Sequence, residues 1–280
     1  MPTRGNHMFL FNRKALALLG ATAAAVASTA VLATPAQAAS AGLVRTVGTG
    51  KVEFRALMGK ANGVTLTIKG RTVTITDKVA IKAGKGCKSV SRTKVKCTTS
   101  KKTKTLSVAL GDKNDWVKNK TSVFLLTAGG TGSDKLWGGS GADQLQGGSG
   151  SDTLYGKGGA DVIFGESGAD TIYGSTGDDI VEAGTGNDRV FLGTGVDYGF
   201  GEGGHDTIKG EGGNDYLIGE SLTSAGEQIG SNSARDRLDG GSGKDFCLVL
   251  NAGATTGCEL GVTASKEAAG VAARLADLRG

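Results

Sequence analysis

From Ala41 to about Leu110 the chain alternates apolar and polar residues with a period of two. Val64-Thr-Leu66-Thr-Ile68 and Val73-Thr-Ile75-Thr read as half-exposed strands joined at Lys69-Gly70, and Asn62-Gly63 reads as a further hairpin-type turn. Val79-Ala-Ile81 and Leu106-Ser-Val108-Ala-Leu110 continue in the same style. The period then changes. Across residues 129–218, ten consecutive nonapeptides carry Leu, Ile or Val at the eighth position, with Gly199 the one exception. Neighbours in a strand face opposite sides, so this aliphatic predicts a short strand with one inward side chain per repeat.

The polar positions are as regular as the apolar ones. The fourth position is Gly132, Gly141, Gly150, Gly159, Gly168, Gly177, Gly186, Gly195, Gly204 and Gly213. The sixth is Asp134, Asp143, Asp152, Asp161, Asp170, Asp179, Asp188, Asp197, Asp206 and Asp215. The glycines suit turns with φ > 0 that other residues resist, and they let backbone carbonyls crowd inward beside the carboxylates. Two nonapeptides make one coil of 18 residues with loops on opposite edges, a pattern known as a calcium-binding parallel β-helix signature.

The repeats have imperfect ends. Gly111-Asp-Lys-Asn-Asp115-Trp-Val117 is a degenerate first copy with Lys113 at the glycine position, and 118–128 runs two residues past one period. After Ile218, the twelve residues 219–230 are not a multiple of nine, so part of them must loop out. Two further copies follow, 231–239 without the glycines and 240–248, with Asp236 and Asp245. From Ser265 a short helix is expected, with Ala268, Val271, Leu275 and Leu278 on one face.

On the same edge of a stacked coil, aspartates sit about 4.8 Å apart. Each neighbouring pair then repels by roughly 1 kcal/mol in water and roughly 3–4 kcal/mol at an effective dielectric of 20. A divalent cation between loops reverses that sign. All-oxygen ligation by carboxylates and carbonyls suits Ca2+ better than zinc or magnesium, and roughly eight sites are expected. Acid is expected to weaken binding by protonating the ligands.

These residues carry a family resemblance: the array from Gly129 to Leu248 resembles the RTX (hemolysin-type) calcium-binding repeats of secreted bacterial proteins. The segment Ala83-Gly-Lys-Gly-Cys87 through Val95-Lys-Cys97, then Leu110-Gly-Asp, is similar to the N-terminal part of secreted actinobacterial-style members. The resemblance implies an all-β fold, a calcium-bound parallel β-roll (β-solenoid) with a β-rich N-terminal cap, whose folding awaits extracellular calcium.

Charge divides the chain. Residues 39–128 hold 19 Lys and Arg against 4 Asp and Glu, whereas 129–248 hold 7 against 20. Nine basic residues fall between Lys82 and Lys104 with no acid among them. Such a run reads first as a solvated face. Arg4, Arg13 and Lys14, the apolar stretch from Ala15 to Ala33 and the small-x-small site Ala36-Gln37-Ala38 read as a secretory signal peptide. The expected layout is signal 1–38, basic β-rich cap 39–110, repeat roll 111–248 with the loop-out at 219–230, and C-terminal cap 249–280. Extracellular localisation with no membrane span after signal removal is expected. In an exported chain the four cysteines read as two local bridges, Cys87 with Cys97 and Cys247 with Cys258, flanking the array.

No HExxH, G-x-S-x-G or phosphate-loop motif occurs, and the histidines are His7, in the signal, and His205, at a variable fifth position. A non-enzymatic role is expected, with no nucleic-acid partner. An alternative reading is a cell-surface or wall polysaccharide-binding adhesin module. It would use the basic region or the ninth-position aromatics Trp137, Tyr155, Tyr173 and Phe191, which recur every 18 residues as an outward ladder.

Overall fold

The computed structural model describes residues 42–222, 228–229, 235–249, 253–258 and 260–263. The signal segment and the helix expected from Ser265 lie outside them. The described residues form strands and loops without a helix, in two twelve-stranded sheets and a two-stranded hairpin.

Alternate repeats enter alternate sheets. Sheet A takes Gln144–Ser149, Val162–Ser167, Ile180–Thr185, Tyr198–Gly203 and Tyr216–Ile218. Sheet B takes Lys135–Trp137, Thr153–Gly158, Thr171–Thr176, Arg189–Gly195 and Thr207–Gly213. Within each sheet the strands run parallel in an 18-residue register, as in Leu154↔Ile172 and Ile163↔Val181. One coil is therefore two nonapeptides. The eighth-position side chains Leu136, Leu145, Leu154, Ile163, Ile172, Val181, Val190, Ile208, Leu217 and Leu238 are fully buried and form one core along the roll.

The exception at Gly199 is filled from elsewhere. A Cβ added there would lie 3.0 Å from Leu192 Cδ1 and 3.0 Å from Ile208 Cγ2. Leu192 stands at the first position of the same repeat, where most copies carry Gly, and is fully buried. Its side chain thus supplies the apolar volume that Gly199 lacks.

The coiling begins earlier than the degenerate copy at Asp115. Lys51–Arg55 pairs parallel with Thr105–Asp112, and Gly63–Lys69 pairs parallel with Trp116–Asn119, so both occupy one further coil. Beyond it the pairing turns antiparallel: Gly63–Lys69 with Thr72–Thr76, that strand with Lys94–Thr98, and Lys94–Thr98 with Cys87–Ser91. The turn expected at Lys69-Gly70 falls one residue later, at Gly70-Arg71, with Lys69 still paired to Thr72 and Gly70 at φ 60°. Asn62-Gly63 does not turn. Gly63 starts a strand, and a Cβ there would lie 2.7 Å from the Trp116 indole that packs on it.

The expected loop-out is present, but it lies inside a repeat. Thr207–Gly213 pairs parallel with Arg237–Asp239, and Tyr216–Ile218 with Phe246–Val249, so the array resumes after the insertion. The copy assigned to 231–239 takes its first position from Gly219, whose added Cβ would lie 2.4 Å from Asp236 Oδ2. Extra residues within this loop carry the hairpin Ser221–Leu222 with Gln228–Ile229. Cys87–Cys97 and Cys247–Cys258 are bridged, the first across the N-terminal hairpin and the second at the last coils.

Candidate metal centre

Each loop edge is built from backbone stacked on backbone. A Cβ added to Gly168 would sit 1.9 Å from the Gly150 carbonyl oxygen one coil earlier, in a residue whose φ is already 127°. The fourth position is therefore glycine for two reasons, conformation and contact. The second position also adopts φ > 0 in nine of the ten contiguous repeats, Gly139 being the exception, even where it carries Lys157, Glu166, Ser175, Glu202 or Glu211. Such backbone costs of order 1 kcal/mol or more for a side-chain-bearing residue, so the stacking of neighbouring coils overrides local preference here.

The sixth-position aspartates form two ladders, one along each edge. Oδ1 of each accepts the backbone N–H of its counterpart one coil earlier. On one edge the chain runs from Asp115 N–H to Asp134 (2.7 Å), Asp134 to Asp152 (2.6 Å), Asp152 to Asp170 (2.7 Å), Asp170 to Asp188 (2.7 Å), Asp188 to Asp206 (2.9 Å) and Asp206 to Asp236 (2.9 Å). On the other, Asp143 N–H donates to Asp161 (2.7 Å), Asp161 to Asp179 (2.8 Å), Asp179 to Asp197 (2.7 Å), Asp197 to Asp215 (3.0 Å) and Asp215 to Asp245 (2.9 Å). All twelve sequence-predicted aspartates are buried on these edges, and Asp115 joins the first ladder.

The second oxygen is the informative one. Oδ2 of Asp115, Asp134, Asp152, Asp161, Asp170, Asp179, Asp188, Asp197, Asp206, Asp215, Asp236 and Asp245 is buried without a hydrogen-bond partner. A Cβ placed on Gly129 would lie 2.3 Å from Asp134 Oδ2 and 2.5 Å from the Gly147 carbonyl oxygen of the next coil. The same test at Gly156 gives 2.3 Å to Asp161 Oδ2 and 2.8 Å to the Gly174 carbonyl. The first-position glycine thus keeps open a cradle on which a carboxylate oxygen and a main-chain carbonyl converge. First-position Gly in eight of the ten contiguous repeats was the sequence signal for it. Two acceptors facing each other with no donor is costly, and a hard cation resolves it. Among the described residues no three His, Cys, Asp or Glu side chains gather. The donor set on offer is therefore carboxylate plus carbonyl oxygen, which suits Ca2+ and not a soft metal.

Burial pushes these carboxyls far above the usual carboxylate range. The backbone N–H each accepts pulls the other way, and in several the neighbouring acids add to the rise. Asp161 and Asp206 reach about 8, Asp134, Asp170 and Asp197 about 7, and Asp179, Asp188, Asp215 and Asp236 about 6. Asp143 differs in kind. Its Oδ2 accepts the Gly139 N–H and Leu125 N–H donates to Oδ1, and the nearby Asn119 side chain also holds its pKa down against burial. Of these, Asn119 and Leu125 come from 118–128, the segment that runs two residues past one period.

Fifth-position residues brace the loops from outside. Asn187 Oδ1 accepts the His205 N–H, and His205 Nδ1 accepts the Arg235 N–H, both at 2.9 Å. His205 is therefore a bracket between coils, a role its variable position concealed.

Trp137, Tyr155, Tyr173 and Phe191 form the ladder expected on sheet B, with centroids 4.8–5.5 Å apart and planes within 9° of parallel. Because the rings stack on one another, they cover each other's faces. Lys118 Nζ lies over Trp137 at 4.4 Å, and Lys209 Nζ over Phe191 at 5.8 Å, at the two ends. A sugar ring that needs an open aromatic face finds none within this row.

The RTX calcium-binding nonapeptide repeat (4 copies) family matches residues 128–163, 155–190, 164–199, 191–221 and 231–248. No curated protein and no solved structure matches the chain.

Proposed function

We propose that this chain, whose residues 128–248 carry RTX calcium-binding repeats, is a secreted protein that takes up several Ca2+ ions and folds its β-roll around them. The observation that carries this reading is the double row of buried, partnerless Oδ2 atoms, eight of them (Asp134, Asp152, Asp161, Asp170, Asp179, Asp206, Asp215 and Asp245) set beside a main-chain carbonyl. The ligands are the carboxylates of Asp134, Asp152, Asp170, Asp188, Asp206 and Asp236 on one edge and Asp161, Asp179, Asp197, Asp215 and Asp245 on the other, with glycine-loop carbonyls beside them. Asp143, already satisfied by protein donors, is the weakest of the predicted ligands. The bound ion supplies positive charge that offsets the carboxylate repulsion along each edge. The chain's own part is to hold the loops in stacking register through the Oδ1–N–H ladders and the shared core. The protein acts by binding, not catalysis, and the signal-like N-terminus supports export to where calcium is abundant.

Isothermal titration of the full chain tests the ligand assignment. Asp134→Asn, Asp152→Asn and Asp170→Asn together should remove a block of calcium sites from one edge and lower the stoichiometry. A variant with unchanged stoichiometry and affinity would overturn it.

A further inference from the structure

The two sheets differ in charge, one strongly basic and the other near balance, because odd and even repeats feed different sheets. The strands of sheet B hold ten basic residues: Lys69, Lys88, Lys94, Lys96, Lys118, Lys135, Lys157, Arg189, Lys209 and Arg237. All ten are exposed, and the acids on those strands are Glu211 and Asp239. The strands of sheet A hold four basic residues against five acids, and Glu53 there pairs with Arg45 and Arg55 at 2.8 and 2.7 Å. Basic charge is thus not confined to residues 39–128 at the end of the molecule. It continues down one face of the roll.

That face has a second component. Thr72, Thr74, Thr76, Thr65, Thr67 and Thr98 point outward among the lysines near the N-terminal end, alternating with buried Val73, Ile75, Val95 and Cys97. Across the register Lys135 faces Trp116 and Trp137 faces Lys118. Twelve strands at about 4.8 Å make a strip about 50 Å long. We propose that the outer face of sheet B binds a linear acidic polysaccharide, its ammonium and guanidinium groups meeting the acid groups and its threonine hydroxyls meeting sugar hydroxyls. Single-stranded nucleic acid binds by stacking bases on open aromatic faces, and the ring row here has its faces covered. The lysines, not the rings, carry the recognition.

This inference rests on the calcium-folded roll. Calcium uptake offsets the buried aspartate charge, so the loaded molecule presents the basic face with little competing negative field. The expectation is that affinity rises with calcium and falls with added salt.

The test uses the calcium-loaded full chain and heparin as the acidic polysaccharide, with uncharged dextran and duplex DNA as comparisons. Heparin should bind, NaCl should weaken it, and dextran should not bind. Lys69→Glu with Lys118→Glu and Lys135→Glu, three exposed positions on neighbouring strands, should weaken heparin binding by roughly tenfold or more at unchanged circular dichroism. Lys82→Glu, on sheet A, should leave it unchanged. Equal binding by the triple variant, equal binding of dextran, or tighter binding of DNA than of heparin would each overturn the proposal. Should circular dichroism ignore calcium, the folding reading fails, while the heparin comparison still decides the face.

Discussion

Leu192 and Gly199 exchange the roles their repeat positions assign, and that exchange can be measured. Leu192→Ala removes three buried carbons, worth about 2.4 kcal/mol at ~0.8 kcal/mol each. The residual cavity raises the loss to roughly 3–5 kcal/mol. Gly199→Leu alone is overpacked, since even its Cβ would approach Leu192 Cδ1 and Ile208 Cγ2 at 3.0 Å. That costs about 1–3 kcal/mol. The double variant places the side chain at the eighth position, as in the other nine repeats, in space that the first change vacated. It should return to within about 1 kcal/mol of the parent, a coupling of about 3 kcal/mol or more between the two positions. Urea unfolding at saturating calcium, followed by far-UV circular dichroism, reads this as a midpoint that falls in each single variant and recovers in the pair. A double variant less stable than either single one would refute the compensation.

Further consequences concern the loops and the ends. Asp161→Asn should weaken calcium binding roughly tenfold or more, the scale of losing one charged contact, and Asp143→Asn much less, because Gly139 and Asn119 already serve its carboxylate; equal losses by titration calorimetry would contradict the difference. Without calcium, aspartates raised from 3.8 to about 6–8 in the fold stabilise it fully below about pH 4, and that contribution disappears as pH rises through 6–8. Chelated protein should therefore gain β signal on acidification from pH 8 to pH 5, whereas calcium affinity should fall over the same range as protons compete for the ligands; a chelated chain that loses β signal on acidification would contradict the sign. Removing Cys247–Cys258, which closes an 11-residue separation, should cost about 2–3 kcal/mol and expose the last coil to protease first. Cleavage starting in the central repeats of the Cys247→Ser/Cys258→Ser variant would refute that.

Much of this structure was legible in the repeats. The eighth-position aliphatics and the aspartate register follow from spacing alone, because each repeat faces the same environment as its neighbours; the coil of two repeats is what the known signature implies. What spacing could not reveal arises where that sameness fails. The insertion sits inside a loop and borrows Gly219, but without glycines at 231–234 the sequence offers no anchor for the register. The coil formed by Lys51–Arg55 and Gly63–Lys69 carries no nonapeptide, only the alternation common to any half-buried strand. Leu192 and Gly199 are seven residues apart, and their contact exists only once the coil closes. The ladder of ninth-position rings was visible, but not that the rings would cover one another's faces. The basic face was visible only in hindsight of topology, by reading odd repeats apart from even ones. The unpaired Oδ2 row needed coordinates, since sequence locates a carboxylate and not which of its oxygens lacks a donor.

If calcium holds the roll together, the fold should depend on it. Far-UV circular dichroism of the full chain at neutral pH, in chelator and then with calcium or magnesium added back, tests it directly. Chelation should abolish most of the β signal, and calcium but not magnesium should restore it. A spectrum and melting temperature indifferent to chelator would contradict that dependence.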